Sequence, residues 1–78
     1  MPTTRVQLTT TPKKVASANL PAYIQSHHNY FRFAFGSTQP TDLQASHQDI
    51  KLYTDGALGD LWLWVSYTSS NDFVIVST

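Results

Sequence analysis

Apolar and polar residues alternate with a period of two along much of this chain, while a 3.6-residue period is scarce. Successive side chains of a strand point to opposite faces, so this alternation predicts half-buried β-strands and an all-β chain. In RVQLTTTP, Val6 and Leu8 alternate with Gln7 and Thr9, predicting a strand that stops by Pro12, which cannot donate to a ladder. KKVAS offers a second short strand around Val15. After Pro21, residues 23–25 and 30–35 predict two arms about a polar loop. In the second arm Phe31, Phe33 and Phe35 share one face and Tyr30, Arg32 and Ala34 the other, which sends three phenylalanines into the core. On the outer face the Arg32 guanidinium is expected beside the ring of Tyr30 or Tyr23, a contact worth about 0.5–1 kcal/mol.

Residues 36–48, GSTQPTDLQASHQ, are the longest irregular stretch, with Leu43 as its only large apolar residue. They are expected to cross between sheets with Leu43 as an anchor, and TDLQAS to hold one helical turn. DIKLYT resumes the alternation through Ile50 and Leu52, and DGALGD marks a turn before a closing hairpin. Strands spaced about 8–12 residues apart, with turn signals between them, predict a small antiparallel β-sandwich or jelly-roll-like barrel of about 6–7 short strands. Residues 1–78 read as a single β domain, without internal repeat or linker.

The pattern fails to alternate in LWLWV, where every position from Leu61 to Val65 is apolar. Residues 61–67 and 73–77 are expected to pair as the arms of the closing hairpin. A four-residue loop, residues 68–71, sets Val65 opposite Val74 and Trp64 opposite Ile75, whereas a five-residue loop sets Val65 opposite Ile75. Either register leaves large apolar groups on both faces. Burying one Trp or Leu is worth roughly 2–3 kcal/mol, so Trp62, Trp64 and Ile75 require a cover. A long loop of the same chain, a second copy of the chain and a ligand are the candidates.

Composition sharpens that requirement. A chain of 78 residues hides only about 60% of its unfolded surface. It has no cysteine to staple the fold or to build a structural metal site, which leaves oligomerisation as the remaining aid to a small core. Charged residues are 13% of the chain, against about 25% in ordinary soluble domains, while aromatics reach 13%. The net charge is zero, so the field that gathers nucleic acid or an anionic membrane surface is absent and neither is an expected partner. Arg5, Lys13, Lys14 and Arg32 precede any acid, and the five aspartates share the second half with Lys51. Aspartate marks turns, which explains the distribution; head-to-tail contacts between copies are the alternative use of it. The first residues lack the apolar core of a signal peptide and no segment is long enough to span a bilayer, so synthesis in the cytoplasm is expected.

Candidate chemistry changes the picture little. His27 and His28 are adjacent, and His47 precedes Asp49 by two residues, on one face of a strand. Zinc needs three or four converging ligands, and adjacent histidines point apart, so a polar loop tip is expected and no metal. The chain has no GxSxG, no cysteine nucleophile, no phosphate-cradling glycine loop, and its carboxylates lie in separate loops. No enzyme activity and no cofactor are expected. Exposed rings stack on sugars and anchor protein interfaces, which singles out Tyr23, Tyr30, Trp62, Trp64 and Tyr67. The candidate interface or ligand-binding residues are Trp62, Trp64, Ile75, Tyr30 and Arg32.

The run VQLTTTPKKVAS, a strand ending FRFAFGSTQPTD, a loop with SHQ, then DGALGDLWLWV and the final FVIVST resemble small β-structured virion proteins of tailed bacteriophages. The likeness is to capsid decoration or cement proteins and to fibre or head–tail accessory parts, and it spans nearly the whole chain. It implies a non-enzymatic virion structural protein, made in the host cytoplasm and located in the virion. Such a protein binds itself, as a homo-oligomer such as a trimer, and other capsid or tail proteins to decorate or stabilise the particle. The short N-terminus departs from the long arm of many capsid-binding proteins. A carbohydrate-binding module that uses exposed aromatics for receptor recognition is the alternative.

Overall fold

A computed structural model describes residues 3–27, 29–67 and 72–78. The described residues form eight strands and no helix: β1 (Thr3–Gln7), β2 (Lys13–Ala16), β3 (Ala22–Ser26), β4 (Phe31–Phe35), β5 (His47–Asp49), β6 (Lys51–Thr54), β7 (Leu61–Trp64) and β8 (Phe73–Ser77). The chain is all-β, as the alternation predicts, with more strands than the expected 6–7. The extra strand is β5, whose His47 and Gln48 belong to the stretch expected to be irregular, and the chain bends between it and β6. The Asp49 carboxylate accepts the Ile50 and Lys51 N–H groups (2.7 and 3.4 Å) and turns the chain at Ile50. β5 then pairs with β4, and β6 with β3.

Two four-stranded antiparallel sheets result, a first in the order β1-β8-β3-β6 and a second in the order β2-β7-β4-β5. Only the connection from β4 to β5 stays within one sheet; every other connection passes from one sheet to the other. The expected closing hairpin is therefore corrected. β7 lies between β2 and β4, β8 lies between β1 and β3, and the two never pair. The physical reason is their composition. LWLW and FVIVS are the most apolar strands, and separating them gives each sheet an apolar central strand with ladder partners on both sides. The proposed register of residues 68–71 falls outside the described residues.

Alternate positions of both sheets join one hydrophobic core, which includes Ile24, Phe31, Phe33, Leu61, Leu63 and Val74. Phe35 packs against it half-buried, as its period predicts. Residues 36–48 neither stay irregular throughout nor cross between sheets as expected: 47 and 48 belong to β5, and 36–46 join two neighbouring strands of the second sheet. Within them Asp42 makes a turn, its carbonyl accepting the Ala45 N–H and its carboxylate the Gln44 N–H. Asp55 and Asp60 likewise accept backbone N–H groups, of Ala57 and Ala18. Turn formation thus accounts for Asp42, Asp49 and Asp55, whereas Asp60 ties the distant Ala18 segment to the start of β7.

Candidate functional site

The two indoles are covered by their own chain. On the outer side of the second sheet Trp62 lies between Lys14 and Ala34, and Trp64 beside Arg32. Trp64 is only 1% exposed, yet it stands apart from the main core cluster. Leu43 and Gln44 of the long loop border a hollow of about 180 Å³ with Thr10, Arg32 and Trp64. The Trp62 indole N–H donates to the Gly36 carbonyl (3.0 Å), and the Gln39 amide donates to the Pro12 carbonyl (2.9 Å). The Ser46 hydroxyl donates to the Leu43 carbonyl (3.1 Å). The loop thus lies beside both indoles on the outer side of the second sheet. Trp64 offers no docking surface, which corrects its place among the candidate interface residues, and Trp62 is half-buried with its only donor used.

Arg32 and Tyr30 do come together, though not by ring stacking. The Arg32 Nε–H donates to the Ser66 hydroxyl (2.9 Å) and Nη1 to the Ser46 hydroxyl (3.2 Å). Tyr23, the other expected ring partner, lies in the first sheet, whereas Arg32 lies in the second. The cation over a ring among the described residues is instead Arg5, 5.1 Å from the centroid of Phe73. Arg32 lines an open cleft of about 230 Å³ with Tyr30, Tyr67, Asn29, Gln48 and the buried Asp72. Tyr30 is 61% exposed and Tyr67 78%. The Asn29 amide donates to the Asp72 carboxylate (3.2 Å), fixing one wall of the cleft.

Ile75 lies elsewhere, on the outer side of the first sheet. Register places Arg5, Ile75, Gln25 and Lys51 in one row across the four strands. Thr3, Ser77, Tyr23 and Tyr53 form the next row, with Tyr23 directly opposite Tyr53. Tyr23 is 41% exposed and Tyr53 64%, so both rings reach solvent where Trp64 does not. Sequence reasoning missed Tyr53, although its alternation with Leu52 in DIKLYT was the available signal. Gln48 and Asn29 carried no signal, because only the fold brings them beside Arg32.

His27 and His47 each lie against a phenylalanine. The His27 ring lies 5.9 Å from that of Phe73, and the His47 ring 5.3 Å from that of Phe33. His28 falls outside the described residues, and among the described residues no group of three metal-ligating side chains is present. The five candidate residues thus divide among a loop-covered sheet face, a polar cleft and an open sheet face. No protein-family model, curated protein or solved structure matches the chain.

Proposed function

We propose that this chain is a non-enzymatic structural domain of a virion that associates head to tail with copies of itself, and as an oligomer decorates or stabilises the particle. The finer architecture belongs to the same proposal: the sheets pack face to face as a jelly-roll sandwich. Supporting it, β1 pairs with β8, β2 with β7, β3 with β6 and β4 with β5, the pattern of one long antiparallel hairpin rolled up. Eight-stranded jelly rolls recur in viral capsid and lectin domains, so the architecture agrees with the phage resemblance while function is argued from the surface.

The observation that carries the reading is the open outer face of the first sheet. It sets the Tyr23–Tyr53 pair and Ile75 beside Arg5 and Lys51, with no acid in either row. Two such faces in contact would juxtapose like charges, which disfavours a symmetric pairing. Asp42, exposed on the loop of the second sheet, and Asp49 on its edge strand supply the complementary sign on a different surface. A contact between unlike surfaces closes into a ring when the rotation permits. Sugar recognition through the indoles lacks support, since Trp64 is buried and the Trp62 N–H is taken.

Sedimentation of the purified chain tests this reading. One closed oligomer is expected at micromolar concentration, with Ile75→Lys monomeric and its circular dichroism unchanged. Arg5→Asp should weaken the oligomer and Asp42→Lys in the same chain should restore it. A wild-type chain that stays monomeric to its solubility limit overturns the reading.

A further inference from the structure

We propose that the cleft around Arg32 is a binding site for a saccharide that carries a carboxylate, independent of the open face of the first sheet. The cleft measures about 230 Å³ and opens to solvent on one side, so part of a longer saccharide can extend beyond it.

The chemistry is centred on Arg32. Its guanidinium is held by two neutral hydroxyls, through Nε to Ser66 and through Nη1 to Ser46. Among the described residues the one ion pair is Lys14–Asp60, so no carboxylate neutralises Arg32 there. Nη2 makes no hydrogen bond to a described residue, and Nη1 gives one N–H of its two to Ser46, so the fork keeps N–H groups for a carboxylate. The two serines fix the plane of the fork in advance, which reduces the ordering cost of binding.

The surroundings select a sugar over a bare anion. Tyr30 and Tyr67 present largely exposed rings at the same cleft, and rings pack against the C–H faces of a pyranose. Gln48 adds an amide, which matches hydroxyls that both donate and accept, beside the wall that the Asn29–Asp72 hydrogen bond fixes. Val65, buried, gives the cleft an apolar backing. A polyphosphate ligand is disfavoured, because the chain has no net positive charge to gather several phosphates and Arg32 is the one cation among the described residues that line the cleft.

The test is a titration of the ¹⁵N-labelled chain with oligogalacturonate, a hyaluronate fragment and a sialyl-oligosaccharide, each beside its methyl ester. Acidic sugar from this set should perturb the amides of residues 30, 32, 48 and 66 and the Arg32 Nε resonance. Esterification and Arg32→Gln should each weaken binding about tenfold or more, the scale of one lost charge-assisted contact. Tyr67→Ala, at a position too exposed to endanger folding, should weaken it roughly three- to tenfold. Absence of any cleft perturbation by the whole set overturns the site. Equal binding of the esters overturns the carboxylate requirement, and acetate competing as well as the oligosaccharides overturns the sugar. None of the substituted residues belongs to the proposed oligomer contact, so these outcomes are separable from those of the sedimentation test.

Discussion

At the scale of single residues, Gly56 is the position where backbone geometry leaves least freedom. Its φ is +90°, and an added Cβ would lie 2.3 Å from the Leu20 nitrogen and 2.6 Å from the Asn19 nitrogen. Those atoms are backbone and are held in place, since the Asn19 N–H donates to the Gly56 carbonyl (2.9 Å). Gly56→Ala combines a left-handed conformation, at about 1–2 kcal/mol, with overpacking against rigid neighbours, at about 1–3 kcal/mol. A loss of roughly 2–4 kcal/mol is expected by urea denaturation, a large share of the stability of a small domain. Gly59 separates the two effects. Its φ is +102°, but its Cβ would meet Gly36 only at ordinary contact distances of 3.7–3.9 Å. Gly59→Ala should therefore lose about 1–2 kcal/mol, the conformational part alone. Equal losses at the two sites would refute the role given to the Asn19–Leu20 backbone. DGALGD announces a turn in the sequence, but nothing local in it reveals which distant backbone the turn touches.

At the scale of elements, the loop of residues 36–46 and strand β7 form one unit. The loop is fastened by Gln39 to Pro12 and by Ser46 to its own Leu43 carbonyl and to Arg32. Removing these three hydrogen bonds in a Gln39→Ala/Ser46→Ala double variant should cost about 1.5–4.5 kcal/mol, at about 0.5–1.5 kcal/mol for each net hydrogen bond. The more telling measurement is acrylamide quenching. Trp64 should be shielded in the parent chain and become reachable in the double variant before global unfolding; unchanged quenching would show that the loop is not its cover. This unit also explains what was legible. In β4 one side faces the core and the other stays half-open, so alternation placed Phe31 and Phe33 correctly, and Leu8, just past β1, is buried as its alternation predicts. In β7 the outer side meets the loop instead of water, which erases the alternation and made the strand look like a surface in need of another molecule. A loop whose only large apolar residue is Leu43 gives no sign in its composition that it covers an indole.

At the scale of the whole molecule, pairing was the least legible feature, because ladders form between strands that sequence patterns treat one at a time. Only β4 and β5 are joined within a sheet, whereas β1 must find β8 near the other end of the chain. The candidate site shares that difficulty: Tyr30, Gln48 and Asp72 meet at one cleft only after the arms have closed. Such long-range order should make folding slow for this size, in the millisecond-to-second range of non-local β topologies. It also gives the last strand a disproportionate role. β8 is central in the first sheet, supplies Val74 and Val76 to the core, and follows Asp72, whose carbonyl accepts the Leu8 N–H (2.7 Å) and the Gln7 amide (3.2 Å). β1, by contrast, is an edge strand with four of its five residues exposed. Deleting residues 72–78 should abolish cooperative thermal unfolding altogether, because β1 and β3 lose their shared partner and the core loses two valines. Deleting residues 1–7 should lower the midpoint while leaving one cooperative transition. A chain lacking β8 that still melts cooperatively near the parent midpoint would mean that stability resides in the second sheet and its loop, and that the first sheet is assembled on it afterwards.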